Sequence, residues 1–121
     1  MAAFHAPYGA PWTQGIVFGA GNIRMRLDDW DITAEIKGPS SEAVLLSLTT
    51  DNGRLIITDP VARTMEINVG WEEIEGLGAG TFRFDFVFVN KTTEQRERDP
   101  VDGSWHTLTI PKAVTFYPTE A

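Results

Sequence analysis

The chain has 121 residues, of which 42% are hydrophobic and 22% charged, and its formal net charge is −7. This length and composition fit one folded domain with a hydrophobic core, and they exclude a disordered tail. The absence of cysteine excludes a disulfide framework, thiol catalysis and thiolate metal ligands. The acidic excess argues against nucleic-acid binding, and no apolar run approaches the roughly 20 residues that a membrane-spanning helix needs.

Residues 1–15, MAAFHAPYGAPWTQG, predict an extended N-terminal arm in front of a domain at 16–121. Two prolines and two glycines interrupt any helix there. The segment lacks the basic start and apolar centre of a signal peptide, so we do not expect export by that route. Phe4, Tyr8 and Trp12 make it more aromatic than a solvated linker. Two interpretations stay open: the arm covers the domain's own core, or it lies in a groove of a neighbouring subunit.

From Trp30 onward, apolar residues recur at every second position, which predicts half-buried strands. Trp30, Ile32, Ala34 and Ile36 share one face of the first of these strands. Further strands are predicted at 44–49, 54–58 and 64–69. Between the first two of these, Asn52-Gly53 predicts a tight hairpin, because both residues tolerate positive φ.

The next segment combines a short helical stretch with the clearest strand in the chain. Residues 70–77 predict one helical turn that crosses from one sheet to the other, and residues 81–89 predict a central strand. Its four phenylalanines point to one face, and burying each contributes roughly 1.5–3 kcal/mol. The opposite face carries Arg83, Asp85, Val87 and Val89.

The C-terminal part is predicted as a loop followed by a strand. Residues 90–103 are densely charged and contain a Pro and a Gly, which favours a long hairpin loop with Arg96 and Arg98 as contact points. The final strand is predicted over 104–117, with apolar residues of one parity facing inward: Leu108, Ile110, Val114 and Phe116. Together these elements predict an all-β fold, a single antiparallel immunoglobulin-like β-sandwich of seven or eight strands.

Candidate catalytic and metal-binding residues are few. His5 and His106 are predicted to be solvent-facing or capping, since no nucleophile and acid accompany them in a triad pattern. The acidic run 28–31 matches no calcium loop, because adjacent strand residues point to opposite faces. Trp30, Trp71 and Trp105 could line a carbohydrate cleft, but their positions favour the core. We therefore predict a non-enzymatic protein with no cofactor and no metal.

Several segments occur in an order that resembles a known family. They are DITAEIKGP, VLLSLTTDNGRLIITDP, TMEINVG, WEEIEGL and GAGTFRFDFVFV, with HTLTIPKAVTFYP in the place of the last strand. This order is similar to that of small phage virion proteins related to the N-terminal domain of the phage baseplate upper protein. The resemblance covers about the middle half of the chain. It implies a β-sandwich building block of a phage particle, and it brings no catalytic residue with it.

The function predicted on this basis is structural. We expect a tail, baseplate or tail-attachment component of a virion, assembled in the host cytoplasm as a homo-oligomer with other virion proteins, without nucleic acid or membrane as partner. Its arm, loops and sheet edges would form the contacts, and the candidate partner-binding residues are Phe4, Tyr8, Trp12, Arg96 and Arg98. The alternatives are a capsid decoration protein and a carbohydrate-binding module for host adsorption.

Overall fold

A computed structural model describes residues 2–18, 26–100 and 103–112. In these ranges the protein is all-β, with ten strands in two sheets, one short α-helix and a 3-10 helix at Leu27–Asp29. In chain order the elements are β1 (Ala3–His5), β2 (Trp12–Val17), β3 (Trp30–Lys37), β4 (Val44–Thr49), β5 (Leu55–Asp59), β6 (Thr64–Val69), α1 (Trp71–Leu77), β7 (Gly80–Phe84), β8 (Phe86–Asn90), β9 (Arg96–Asp99) and β10 (His106–Ile110).

The large sheet is organised around β3. On one side β3 pairs with β4, and on the other it pairs with both β7 and β8 in an unshifted register, since Ala34 lies opposite Phe86 and Lys37 opposite Arg83. Beyond them, β10 pairs with β7 and β9 pairs with β8. β1 is added to β10 in parallel, so the prediction of a purely antiparallel fold is wrong at this edge.

The small sheet has three antiparallel strands in the order β2-β6-β5. A turn that begins at Asp59 joins β5 to β6, and the side-chain carboxylate of Asp59 accepts hydrogen bonds from the backbone N–H groups of Val61 and Ala62 at 3.1 Å. The inward-facing residues of both sheets form one hydrophobic core. That core joins the two sheets into a single unit.

The phenylalanine pattern at 82–88 is confirmed as the centre of the core. Phe82, Phe84, Phe86 and Phe88 are all buried. The predicted single strand is divided at Asp85 into β7 and β8, whose outer neighbours are different strands. This division adds one strand, and β1, β2 and β9 lie where no strand was predicted, so the described residues contain ten strands rather than seven or eight.

The N-terminal segment is part of the body of the protein. β1 belongs to the large sheet and β2 to the small one, so the predicted boundary between residues 15 and 16 falls inside β2. Trp12 is 2% exposed, and its ring packs edge-on against Phe4 and Phe84 at centroid distances of 6.3 Å. Of the two interpretations left open, the structure shows the one in which the segment covers the domain's own core.

The Asn52-Gly53 turn does not form the predicted hairpin. β4 lies in the large sheet and β5 in the small one, so the turn carries the chain between sheets. Gly53 has the positive φ that the sequence suggested, 81°. The Asn52 side chain accepts from the backbone N–H groups of Thr49 and Arg54 and donates to the carbonyl of Ser47, which closes the turn without strand pairing. The same residue chemistry therefore serves a different connection.

Part of the charged segment 90–103 forms a strand where a loop was predicted. Its residues Arg96–Asp99 form β9, which pairs with β8 through a turn at 91–95, so Arg96 and Arg98 lie on a strand rather than in a loop. The Asn90 side chain accepts from the backbone N–H groups of Thr92 and Thr93 and stabilises that turn. β10 confirms the inward parity of its apolar residues, whereas Val114 and Phe116 lie outside the described residues.

The only predicted helical stretch is confirmed as α1, which links β6 of the small sheet to β7 of the large one. Gly78 ends it with a positive φ of 80°, and its backbone N–H donates to the carbonyls of Ile74 and Glu75. Within the described residues, no helix has the length and apolar character that crossing a bilayer requires.

The burial of Trp12 makes a direct prediction about stability. Trp12→Ala should lower the free energy of unfolding by about 3–5 kcal/mol, because it leaves a large cavity where the two sheets meet. Trp12→Phe should cost only about 1–2 kcal/mol, since the buried indole Nε1 has no hydrogen-bond partner among the described residues. Denaturant unfolding measures both values. Trp71→Ala, at an exposed tryptophan, is the matched control, and equal losses at both positions would contradict the placement of Trp12.

Candidate functional site: a groove on the large sheet

The alternation that buries the phenylalanines turns a set of charged side chains outward on the same strands. Glu35 and Lys37 leave β3 on this outer face, and Arg83 leaves β7. Arg98 on β9 lies opposite Val87 on β8 and shares the face with it. The outer face of the large sheet is therefore a charged platform, as the predicted parity of Arg83 and Asp85 indicated.

A groove of about 370 Å³ lies on this platform. Its floor comes from β3, β7, β8 and β9, and its walls come from Glu42 in the β3–β4 connection and from Gly103, Ser104 and Trp105 ahead of β10. Trp105 is 47% exposed and Trp71 49%, so the prediction that these two belong to the core is wrong, whereas Trp30 is buried as predicted. Trp105 directly precedes His106, which faces inward, so the alternation along the strand turns the Trp105 side chain outward.

Two cations face each other across the floor of the groove. Lys37 and Arg83 are directly paired between β3 and β7, and their side chains are only 26% and 19% exposed. Like charges at directly opposed positions destabilise a sheet unless an anion lies between them. Here the anion is the Glu42 carboxylate, which lies 2.6 Å from Arg83 Nη2 and 3.6 Å from Lys37 Nζ.

Arg83 also fixes the wall of the groove. Its Nε donates to the carbonyl of Gly38 at 3.0 Å and its Nη2 to the carbonyl of Ser41 at 2.6 Å. Its guanidinium carbon lies 5.6 Å from the centre of the Trp105 ring, within the range of a cation–π contact. One arginine thus holds the β3–β4 connection and one side of the tryptophan at once.

Asp85 and Arg98 form a second ion pair beside the first. With Glu35, the charged residues that line the groove comprise three cations and three carboxylates, so the lining is neutral although the chain is strongly acidic. Such a site offers paired charges and one aromatic surface rather than an electrostatic potential of a single sign. This combination suits a small polar ligand better than a nucleic acid.

The five predicted partner-binding residues are separated by the fold. Trp12 lies in the core, and Phe4 and Tyr8 are partly buried against it, so their aromatic surfaces are engaged within the chain. Arg96 and Arg98 project from β9 on the outer face, and Arg98 lines the groove. Partner binding by these residues stays a prediction, and it is compatible with the position of the two arginines.

His106 is buried, which overturns its predicted solvent-facing or capping position. Its Nδ1 accepts a hydrogen bond from the backbone N–H of Ala2 at 2.9 Å, so the ring proton lies on Nε2 and points to Asp99 Oδ2 at 2.9 Å. The ring also contacts Phe4 and Phe84 at centroid distances of 5.6 and 5.5 Å. Both nitrogens are used to attach β1 and β9 to β10.

The acidic run 28–31 spans the end of a 3-10 helix, Leu27–Asp29, and the first two residues of β3. Asp28 forms a two-point ion pair with Arg26, and the hydrogen bond from that guanidinium lowers the pKa of the Asp28 carboxyl. Within residues 2–18, 26–100 and 103–112, no three His, Asp or Glu side chains are placed to hold a metal ion together. The three exposed carboxylates of this run therefore belong to a solvated turn and strand start.

Comparison with known proteins adds no relative: no protein-family model matches the chain, and no curated protein matches it significantly.

The contact between Glu42 and Arg83 makes a pH prediction. The hydrogen bond from Arg83, assisted by the charges of Arg83 and Lys37, lowers the pKa of Glu42 below its ordinary value of 4.5. The contribution of this ion pair to folding is therefore present above the ordinary pKa and is lost as pH falls through the lowered one. NMR titration of the Glu42 side chain should give a midpoint below 4.5. Arg83→Gln should raise that midpoint, and an unchanged midpoint in this variant would contradict the assignment of the cause.

Proposed function

We propose that the protein is a non-enzymatic structural subunit of a phage virion, at the tail or baseplate or at a tail attachment, built as an immunoglobulin-like sandwich. Two features support this. The segment order resembles that of the virion family named above, and the connections β1–β2, β4–β5 and β6–β7 all pass between the two sheets, as in Greek-key sandwiches. In this role the protein works through its surfaces, by offering sheet edges and loops to neighbouring subunits.

The observation that carries the proposal is the unprotected edge of β2. Among the described residues β2 pairs only with β6, and its six residues, WTQGIV, include no charge and no proline. Its register with β6 is unshifted, so no bulge twists the edge away. Val17 at its end is 72% exposed. Natural proteins protect such edges, because an exposed flat strand pairs with strands of other chains.

Three of the other four sheet edges among the described strands carry such protection, and β4 is partly occupied by side-chain hydrogen bonds. β9 is a run of four charged residues, RERD, and β5 contains a register shift between Ile57 and Asp59. β1 has only three residues. On β4, the Ser47 carbonyl already accepts hydrogen bonds from the side chains of Asn52 and Arg54. We infer that β2 is the edge at which a neighbouring subunit adds a strand.

A carbohydrate-binding module is the second candidate, and one observation favours it. Trp105 presents a half-exposed ring beside charged side chains in the groove, an arrangement that suits stacking on a sugar. Trp71 is also exposed but does not line the groove. A virion subunit with such a groove would combine assembly with host adsorption. A capsid decoration protein would use the same edge and differs only in its position on the particle.

The proposal that a neighbouring subunit pairs with the β2 edge is tested by placing a charged side chain there. Val17→Lys places a cation beside the β2 edge, and it should leave the free energy of unfolding within about 0.5 kcal/mol while abolishing assembly, because surface substitutions rarely affect folding and charged edges resist strand pairing. Purified particles from cells producing each variant are analysed by mass spectrometry for the chain. Val61→Lys, at an exposed turn position, is the control and should be incorporated normally.

Two results would overturn the proposal. If the unaltered chain is absent from purified particles, the virion function is wrong. If Val17→Lys is incorporated as well as Val61→Lys, β2 is not the assembly edge. Labelling intact particles with an antibody to the chain separates the tail position from the capsid surface.

A further inference from the structure

We propose that the groove binds an acidic saccharide, whose carboxylate is held by Lys37 and Arg83 and whose ring packs on Trp105. This inference rests on the second candidate function, carbohydrate binding, and it names the class of sugar. It does not depend on the position of the protein in a virion.

The first argument is that the groove already holds a carboxylate. Lys37 and Arg83 are opposed across two strands and largely buried, and the anion between them belongs to Glu42. The Glu42 side chain is 81% exposed and extends from the β3–β4 connection. Little buried surface is lost when this side chain turns into solvent. Glu42 therefore stands in the place that the carboxylate of a ligand can take.

The second argument is that Arg83 stays in place when Glu42 leaves. Arg83 is anchored by the carbonyls of Gly38 and Ser41, and neither bond involves the Glu42 side chain. A preorganised guanidinium binds a carboxylate with less entropy loss than a free one. The departure of Glu42 would leave the lining with one excess positive charge, which a ligand carboxylate neutralises and a neutral sugar does not.

The third argument concerns the distance between the cations and the aromatic ring. The guanidinium carbon of Arg83 is 5.6 Å from the Trp105 centroid. In a uronic acid the carboxylate is bonded directly to the pyranose ring, so one ligand can place its carboxylate at the cations and its ring beside the tryptophan that adjoins them. Sugar C–H faces pack on indole rings, and the exposed part of Trp105 is open to such a contact. A simple carboxylate would use the cations and leave the exposed part of the Trp105 ring without a ligand contact.

The test uses the purified full chain and three probes: methyl glucuronoside, methyl glucoside and acetate. The two glycosides differ only in the carboxylate, and acetate supplies a carboxylate without a ring. Binding is measured by calorimetry and by NMR shifts of the Trp105 indole N–H. We expect the glucuronoside to bind about tenfold or more tightly than either of the others, since a charge-assisted bond and a stacking contact are both required.

Three variants assign the contacts. Glu42→Gln should tighten glucuronoside binding several-fold, because it weakens the internal competitor. Trp105→Ala and Lys37→Gln should each weaken it about fivefold or more, as expected for loss of one contact of about 1 kcal/mol. Trp71→Ala is the matched control for an exposed tryptophan and should bind normally. Circular dichroism verifies that every variant is folded.

Each contrary result has a distinct meaning. Equal binding of both glycosides would overturn the acidic specificity while preserving carbohydrate binding. Equal binding of acetate and glucuronoside would show that the groove is a simple anion site and would overturn the proposal that its ligand is a saccharide. If no probe binds, even to Glu42→Gln, both the inference and the carbohydrate candidate are wrong, and the virion proposal is unaffected. Weaker binding to Glu42→Gln would show that Glu42 contacts the ligand rather than competing with it.

Discussion

The packing of four phenylalanines from β7 and β8 against the small sheet is the interaction on which the other features depend. Phe86 is held edge-on by Phe84 at 5.5 Å and by Phe18 at 5.4 Å, which brings the residue after β2 onto the centre of the large sheet. Such contacts combine large buried area with directional ring geometry. Because β3 pairs with both β7 and β8 in one register, the burial of these phenylalanines also determines which residues of β3 face the core.

The groove is the opposite face of the same arrangement. Residues that alternate with the phenylalanines must point outward, and the register then places Arg83 against Lys37. Two cations in this position require a carboxylate, and the β3–β4 connection supplies Glu42. A structural need of the sheet thus creates an anion site at the surface. This is why the groove can be both part of the fold and a place for a ligand.

The N-terminal segment links folding to assembly. It contributes β1 to one sheet and β2 to the other, and His106 anchors its start through the backbone N–H of Ala2. The aromatic residues that resembled anchors for another subunit are used within the chain. What the segment offers outward is the backbone edge of β2, so strand addition replaces insertion of aromatic side chains as the mode of contact we propose.

The sequence by itself determined where β3 and β6 lie and which residues of β3, β6 and β10 face inward, because period-two spacing is a local property of the chain. It also indicated that Arg83 and Asp85 point away from the core. It did not indicate β1, β2 or β9. It did not determine which strands are neighbours: Asn52-Gly53 looks the same in a hairpin and in a connection between sheets. Pairing Lys37 with Arg83, burying His106 and exposing Trp105 depend on contacts between residues far apart in the chain. Only the tertiary structure decides these, since they follow from register and sheet order rather than from any local pattern.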